Sequence, residues 1–165
     1  MQLTNGDIKK IEAEIEERKS VIRPKLIEDL KEARAQGDLS ENFEYYAAKK
    51  AKNENESRIR YLDKMLRTAV IISDSSKDDE VGINNIVTLY FEEDDEEQTF
   101  KVVSPIRSNS IENRIGNDSP IGKAIIGHKK GDRVRVRVNE EYSYYVVIRD
   151  IDNSPTDEDD AISRY

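Results

Sequence analysis

The sequence predicts an α+β protein in which an N-terminal antiparallel helical hairpin is followed by a sheet domain with one short helix. Two observations carry this prediction: helix-forming patterns cover about residues 5–35 and 41–70, and short strand-like apolar segments replace them from about residue 71. Hydrophobic residues make up 36% of the chain, which is low for one compact core. A two-helix arm explains this value, because each of its helices buries only a narrow seam.

The first helical pattern has one apolar face with a break in its middle. The face consists of Ile8, Ile11, Ile15, Ile22, Leu26, Leu30 and Ala33. Arg18, Lys19 and Pro24 interrupt it. Because proline lacks a backbone N–H and clashes with the preceding turn, we expect a kink near residues 20–24.

The second helical pattern has a clear heptad seam only in its later half, formed by Ile59, Leu62, Leu66 and Ala69. Traced backwards, the seam meets Asn55, Lys52 and Ala48, which are polar or small. We therefore expect weaker packing towards the turn, with Asn55 helping to fix the register. At a rise of about 1.5 Å per residue, each helix spans about 45 Å and carries the turn far from a globular domain.

The remainder of the chain reads as strands, one short helix and a tail. Strand-like segments occupy residues 70–72, 86–91, 99–103, 134–138 and 144–148, and the acidic run 92–97 is typical of a solvated hairpin turn. Ser119 and Pro120 open an apolar run that Gly127 closes, which predicts a short helix packed on the sheet. We divide the chain into a hairpin at 1–72, a sheet domain at 80–151 and an acidic, disordered tail at 152–165.

Composition and charge restrict the class of function. The chain contains no cysteine, which excludes disulfides and cysteine nucleophiles, and it has no apolar run of the length that a membrane span needs, so we expect a cytoplasmic protein without a membrane partner. The net charge is −8; residues 1–70 hold 15 basic and 14 acidic side chains, and residues 71–165 hold 12 and 21. Because duplex DNA requires a broad basic surface, free DNA is a poor candidate partner.

Two carboxylates, Asp38 and Glu41, lie at the turn between the helical patterns. Two oxygen ligands hold Mg²⁺ only loosely, because that ion prefers six, so the pair forms at best half of a metal site. A partner enzyme could supply the remaining ligands, and the pair would then help to hold a second metal ion or activate a water. The alternative is that Asp38 caps the second helix while Ser40 and Glu41 satisfy and charge its first turn.

Basic and aromatic residues surround these carboxylates. The basic residues are Arg34, Lys49, Lys50 and Lys52, and the aromatic ones are Phe43, Tyr45 and Tyr46. Such a mixture suits a single-stranded nucleic acid end, but the sequence alone favours the other interpretation, a solvated helix face with aromatic packing at the hairpin end. The chain has one histidine, His128, and shows no nucleophile triad and no phosphate-binding glycine loop, which disfavours a self-contained enzyme.

The turn with its flanks, residues 34–49, closely resembles the signature of the GreA/GreB family of bacterial transcript-cleavage elongation factors. The signature reads RAQGDLSENFEYYAAK in this chain. The likeness extends to Arg23 and Pro24, to residues 56–59 with Leu62 and residues 69–71, and to residues 119–127 with 131–132. Phe43, where the family usually has alanine, Asn139 and Glu140 in place of a Pro-x-Gly hairpin, and the acidic tail depart from the pattern.

The resemblance implies an antiparallel coiled coil followed by an FKBP-like antiparallel sheet domain without isomerase activity. It further implies a monomer that binds RNA polymerase through Asp118, Ser119 and Pro120 and passes its coiled coil down the secondary channel. There Asp38 and Glu41 would share a catalytic Mg²⁺ with the polymerase and stimulate cleavage of backtracked transcripts. Arg34 and Lys49 match basic residues that contact RNA, and we add Lys50 and Lys52 to that RNA 3′-end surface.

Three other interpretations remain open at the level of sequence. A polymerase-binding regulator of the same shape would occupy the channel and inhibit without cleavage; the presence of both Asp38 and Glu41 disfavours it. A structural coiled-coil adaptor would use the turn carboxylates only as caps. A prolyl isomerase is the weakest, because the sequence shows no aromatic-lined proline pocket.

Overall fold

The computed structural model describes residues 1–37 and 42–164 and divides the chain into two units. One unit, residues 8–69, contains the helical hairpin, and the other combines residues 1–7 with the chain from residue 70 onward. The α+β class, with a long helical hairpin and a sheet domain that carries a short helix, is confirmed. Within the described residues, no helix is long and apolar enough to cross a membrane.

The hairpin is built from three α-helices and one π-helical stretch. Its elements are α1 (Asn5–Glu17), the π-helical stretch (Arg18–Ile22), α2 (Arg23–Ala35) and α3 (Phe43–Arg67). The buried side chains of its seam are Ile11, Ile15, Leu30, Ala33, Asn55, Arg58, Ile59, Leu62 and Met65. Leucine and isoleucine therefore fill the seam near the hairpin base, as the heptad pattern predicts, while polar side chains enter it further along.

The interruption expected near Pro24 is a π-helical stretch that begins before the proline. The N–H of Arg23 donates to the carbonyl of Arg18, five residues back. Pro24 lies in the first turn of α2, and Ile22 and Arg23 before it keep helical dihedral angles, so the helix continues through the proline. The wider helical turn thus absorbs the break that the proline imposes.

The second unit contains a two-stranded and a five-stranded sheet. β1 (Gln2–Leu3) pairs in parallel with β2 (Val70–Ile71). The larger sheet has the order β5-β4-β3-β7-β6, and its strands are β3 (Ile86–Phe91), β4 (Glu96–Val103), β5 (Arg114–Gly116), β6 (Arg133–Arg137) and β7 (Ser143–Asp152). The expected antiparallel sheet is corrected in one place, because β4 and β5 are parallel. A 3₁₀ turn, Pro105–Arg107, begins the connection between these two strands.

The core of this unit lies between the sheet and the short helix α4 (Pro120–Ile125). It is formed by alternate residues of the strands, with Ile125 fully buried and Ile121 and Ala124 packed against it. Ser119 caps α4 and Pro120 opens it, as the sequence predicts. The helix therefore closes one face of the curled sheet.

The sequence predicts a disordered tail from residue 152, and in the structure several of the described residues 152–164 contact the sheet unit. Asp152 is the last residue of β7, and Asp160 is buried with 7% of its surface exposed. The side chain of Asp160 lies 2.8 Å from both Lys101 Nζ and Arg107 Nη1. Charge composition alone predicted disorder, because it does not show that basic residues earlier in the chain neutralise the acidic tail.

Candidate functional site at the hairpin tip

Asn42 organises the described part of the hairpin tip. Its Oδ1 accepts the N–H of Tyr45 at 3.0 Å, which makes Asn42 the N-cap of α3. Its Nδ2 donates to the carbonyl of Ala33, near the end of α2, at 2.6 Å. One side chain thus satisfies an N–H at the start of one helix and a carbonyl at the end of the other, and it joins the two ends.

Asp38 and Glu41, the two carboxylates predicted to act on metal, lie outside the described residues. The capping role that the alternative assigned to Asp38 belongs to Asn42, because α3 begins at Phe43. The sequence could not separate these candidates, since aspartate and asparagine are equally good N-caps.

The aromatic residues of the tip divide into one packed residue and two exposed ones. The guanidinium of Arg34 lies 5.7 Å from the centre of the Tyr45 ring, across the hairpin, in a cation–π arrangement. Tyr45 also contacts Tyr46 edge to face, with ring centres 5.5 Å apart. Phe43 is 85% exposed, which is unusual for a phenylalanine at the start of a helix.

The predicted basic residues flank the tip on both arms. Arg34, Lys49 and Lys50 are exposed, and Lys52 is half-buried. Lys50 approaches the carboxylate of Glu54 at 4.0 Å, one turn along α3, and both side chains are mostly exposed. Because a solvated ion pair of this kind is weak, Glu54 does not prevent Lys50 from binding a phosphate.

The two carboxylates predicted to hold Mg²⁺ are not among the described residues. Within residues 1–37 and 42–164, no group of three or more histidine, cysteine, aspartate or glutamate side chains could hold a metal ion. The donor chemistry of Asp38 and Glu41 fits Mg²⁺, which prefers carboxylate oxygens but needs more ligands than two. The half of a Mg²⁺ site predicted from the sequence therefore stays a prediction.

A polar cluster in the middle of the hairpin was missed by the sequence analysis. Glu14 accepts hydrogen bonds from Arg58 at 2.8 and 3.1 Å and from Arg18 at 2.7 Å. Arg18 also donates to Asn55 Oδ1 at 3.0 Å, and Asn55 Nδ2 donates back to the Arg18 carbonyl at 3.3 Å. The expected role of Asn55 in fixing register therefore has a physical basis, namely a reciprocal bond across the hairpin.

In this cluster, one carboxylate, that of Glu14, is shared by two arginines, Arg18 and Arg58. Partial burial raises the pKa of Glu14, but the hydrogen bonds from Arg58 and Arg18 outweigh it, so the pKa lies below its ordinary value of 4.5. Nearer the tip, Arg23 binds Glu56 through two hydrogen bonds, at 2.7 and 2.8 Å. The spacing of Glu14 and Arg18, four residues apart, was the available sequence signal, but their partner on α3 could not be read from it.

The predicted docking residues lie at the start of α4. Asp118 and Pro120 are exposed, and Ser119 Oγ donates to the Gly116 carbonyl at 2.7 Å while it accepts the Gly122 N–H at 3.1 Å. A Cβ at Gly122 would lie 2.1 Å from the Gly116 carbonyl oxygen, so only glycine permits this close approach. The turn is thereby held firmly against β5, with Asp118 and Pro120 facing solvent.

Comparisons with known proteins match both units. Residues 1–71 match the family model described as transcription elongation factor, N-terminal, and residues 75–153 match that of the GreA/GreB C-terminal domain. Transcription elongation factor GreA of Macrococcus caseolyticus is 42% identical over 134 residues, which cover 81% of this chain and 85% of that protein. GreA of Mesomycoplasma hyopneumoniae is 41% identical over 145 residues, covering 88% and 91%.

Among solved structures, GreA factor homolog 1 of Thermus thermophilus is similar at a TM-score of 0.42 and 25% identity, with 92% of this chain and 98% of that chain covered. The family models span nearly the whole sequence, and the resemblance found in the signature at residues 34–49 is confirmed. The chain belongs to the GreA/GreB family of transcription elongation factors.

Proposed function

We propose that this protein binds RNA polymerase in the cytoplasm, enters its secondary channel as a monomer and stimulates the polymerase's own cleavage of backtracked transcripts. The observation that carries the proposal is a hairpin whose connection between α2 and α3 contains Asp38 and Glu41 within the family signature. Asn42 caps α3 and bonds to the end of α2, so the N-cap of α3 is supplied by a residue other than these two carboxylates. The protein itself is then not an enzyme.

Three groups of residues have three separate roles in this proposal. Asp38 and Glu41 supply oxygen ligands to a Mg²⁺ that the polymerase also holds, and such an ion activates water for phosphodiester hydrolysis. Arg34, Lys49, Lys50 and Lys52 face the RNA 3′ end, where their charges attract phosphates. Asp118, Ser119 and Pro120 contact the polymerase at the mouth of the channel.

The decisive experiment measures cleavage of a labelled, backtracked transcript by the cognate RNA polymerase in Mg²⁺. We expect the wild-type protein to accelerate cleavage, and the Asp38→Ala/Glu41→Ala variant to lose the acceleration by at least about tenfold, because groups that ligate or orient a metal are lost. The matched control is Asp29→Ala/Glu32→Ala, an acidic pair with the same spacing on exposed positions of α2. Equal cleavage by both double variants would contradict the proposal.

The same assay can separate binding to the polymerase from stimulation of transcript cleavage. Asp118→Ala should weaken binding to the polymerase, whereas the tip double variant should bind normally and compete with the wild type. Competition is measured by the concentration of variant that halves wild-type stimulation. Inhibited elongation with no cleavage by the wild-type protein would instead assign it to the channel-blocking class.

A further inference from the structure

The C-terminal segment of the chain, residues 153–164, lies along the sheet unit as a bound peptide would. Main-chain groups hold it at three points: Lys101 Nζ donates to the Thr156 carbonyl, Arg114 Nη2 donates to the Ala161 carbonyl at 3.4 Å, and the Ser163 N–H donates to the Ile106 carbonyl at 2.7 Å. Hydrogen bonds to main-chain groups bind a peptide independently of its side chains. The segment therefore uses features that many peptides share.

The side chain of Asp160 binds basic groups of the sheet unit. The Asp160 carboxylate lies 2.8 Å from Arg107 Nη1 and 2.8 Å from Lys101 Nζ, and it is 7% exposed. We call the group that receives it, Lys101, Arg107, Arg114 and Asn84, the tail site. Asn84 belongs to it because its Oδ1 accepts from Arg107 Nη1 at 2.7 Å.

The charge of the tail site requires an anion from the segment. Lys101 and Arg107 supply two positive charges in a nearly dry environment, with side-chain exposures of 15% and 0%. Asp7, paired with Arg107 at 2.7 Å, supplies one negative charge, and Arg114 has its own partner in Glu112. One buried positive charge is left over, and an uncompensated buried charge is strongly unfavourable. Asp160 supplies the missing charge.

The tail site also retains capacity to donate. Arg107 Nη2 is buried and has no hydrogen-bond partner among the described residues. The guanidinium has five N–H donors in a fixed plane and can hold a carboxylate through two parallel bonds. The segment that fills the site lies beyond the part of the chain that matches the family models, which ends at residue 153.

We propose that the tail site is a binding site for an acidic peptide, that the chain's own C-terminal segment occupies it in cis, and that an acidic segment of a partner protein replaces this occupant. The tail then acts as a competitor that sets how tightly the partner binds. Because the tail is attached to the protein, its effective concentration is about millimolar, and a partner must overcome it. This proposal stands independently of transcript cleavage.

The test uses the full chain and a fluorescent peptide with the sequence of residues 153–164, whose binding is followed by fluorescence anisotropy. Asp160→Asn should weaken the cis occupant and raise the fraction of open sites, so the peptide should bind this variant at least about tenfold more tightly than it binds wild type. Asp159→Asn, which alters the exposed neighbour, should behave like wild type. A peptide that itself carries Asp160→Asn should not bind.

A second variant separates release of the tail from damage to the charge cluster. Ser163→Pro removes the N–H that bonds to Ile106 and leaves Asp160 intact. It too should bind the wild-type peptide more tightly than the wild-type chain does. The proposal would be overturned if the peptide bound neither Asp160→Asn nor Ser163→Pro. It would also be overturned if the peptide bound these two variants, Asp159→Asn and the wild type equally.

Discussion

Glu14 is the residue on which the middle of the hairpin depends. It accepts hydrogen bonds from two arginines, and one of them, Arg58, is only 4% exposed. Heptad reasoning places apolar residues in such a seam, and Ile59 and Leu62 were correctly predicted. A buried arginine escapes that reasoning, because the sequence of α3 does not show that a carboxylate on α1 faces it.

We expect Glu14→Gln to lower the free energy of unfolding of the hairpin by about 2 kcal/mol, since charged hydrogen bonds are lost and Arg58 remains in the seam. Urea unfolding followed by the circular dichroism of the helices measures the change. Glu12→Gln, at an exposed position of the same helix, is the matched control and should change the stability little. Similar losses in both variants would show that Glu14 acts only through general charge.

Glu14 also makes hairpin stability depend on pH. Its pKa is lower in the folded protein than the ordinary 4.5, so the unfolded chain takes up the proton first as the pH falls. The contribution is complete above about pH 4.5 and is lost as the pH falls through the folded-state pKa. Melting temperatures of the wild type should therefore fall more steeply below pH 4.5 than those of Glu14→Gln. Parallel curves would remove Glu14 as the cause.

Helix α3 shows at the scale of an element what a sequence pattern can and cannot locate. The pattern places the helix at about 41–70, and the structure confirms it at Phe43–Arg67. The N-cap seen in the structure, Asn42, differs from the candidate that the sequence offered, Asp38. Aspartate, serine and asparagine are all competent N-caps, and Asp38, Ser40 and Asn42 lie within a few residues of one another. The contact that decides between them, from Asn42 to Ala33, joins two helices and has no local signature.

Asn42→Ala should destabilise the hairpin by about 1 kcal/mol, the usual effect of losing an N-cap. Asn42→Asp is the informative control, because aspartate still accepts the Tyr45 N–H but cannot donate to the Ala33 carbonyl. If the inter-helix bond contributes, the aspartate variant should lie between wild type and alanine in urea unfolding. An aspartate variant as stable as wild type would confine the role of Asn42 to capping.

At the scale of the whole molecule, the second unit depends on residues from both ends of the described chain. Asp7 exchanges hydrogen bonds with Thr4, at 2.9 and 3.2 Å, and binds Arg107 at 2.7 Å with both side chains fully buried. The division into an arm and a sheet domain was predictable from periodicity. The return of residues 1–7 to the sheet unit was not, since two-residue strands such as β1 carry no pattern.

Asp7→Asn should lower the free energy of unfolding of the sheet unit by about 3–5 kcal/mol, because it leaves Arg107 with less charge compensation in a dry site. Fluorescence of the tyrosines of β7 during urea unfolding reports on this unit. Asp74→Asn, an exposed change in the same unit, is expected to have almost no effect. A small effect of Asp7→Asn would mean that Asp160 alone satisfies Arg107.

The pairing of Asp7 with Arg107 has a consequence for the order in which the protein is made. The two residues are 100 positions apart, and Asp160 joins them only after a further 53. At about 5–20 residues per second, a ribosome needs roughly 5–20 s to travel from the aspartate codon to the arginine codon. During that interval the hairpin has its complete sequence and can fold, while Asp7 is without Arg107. The earliest residues of the chain thus complete their contacts among the last.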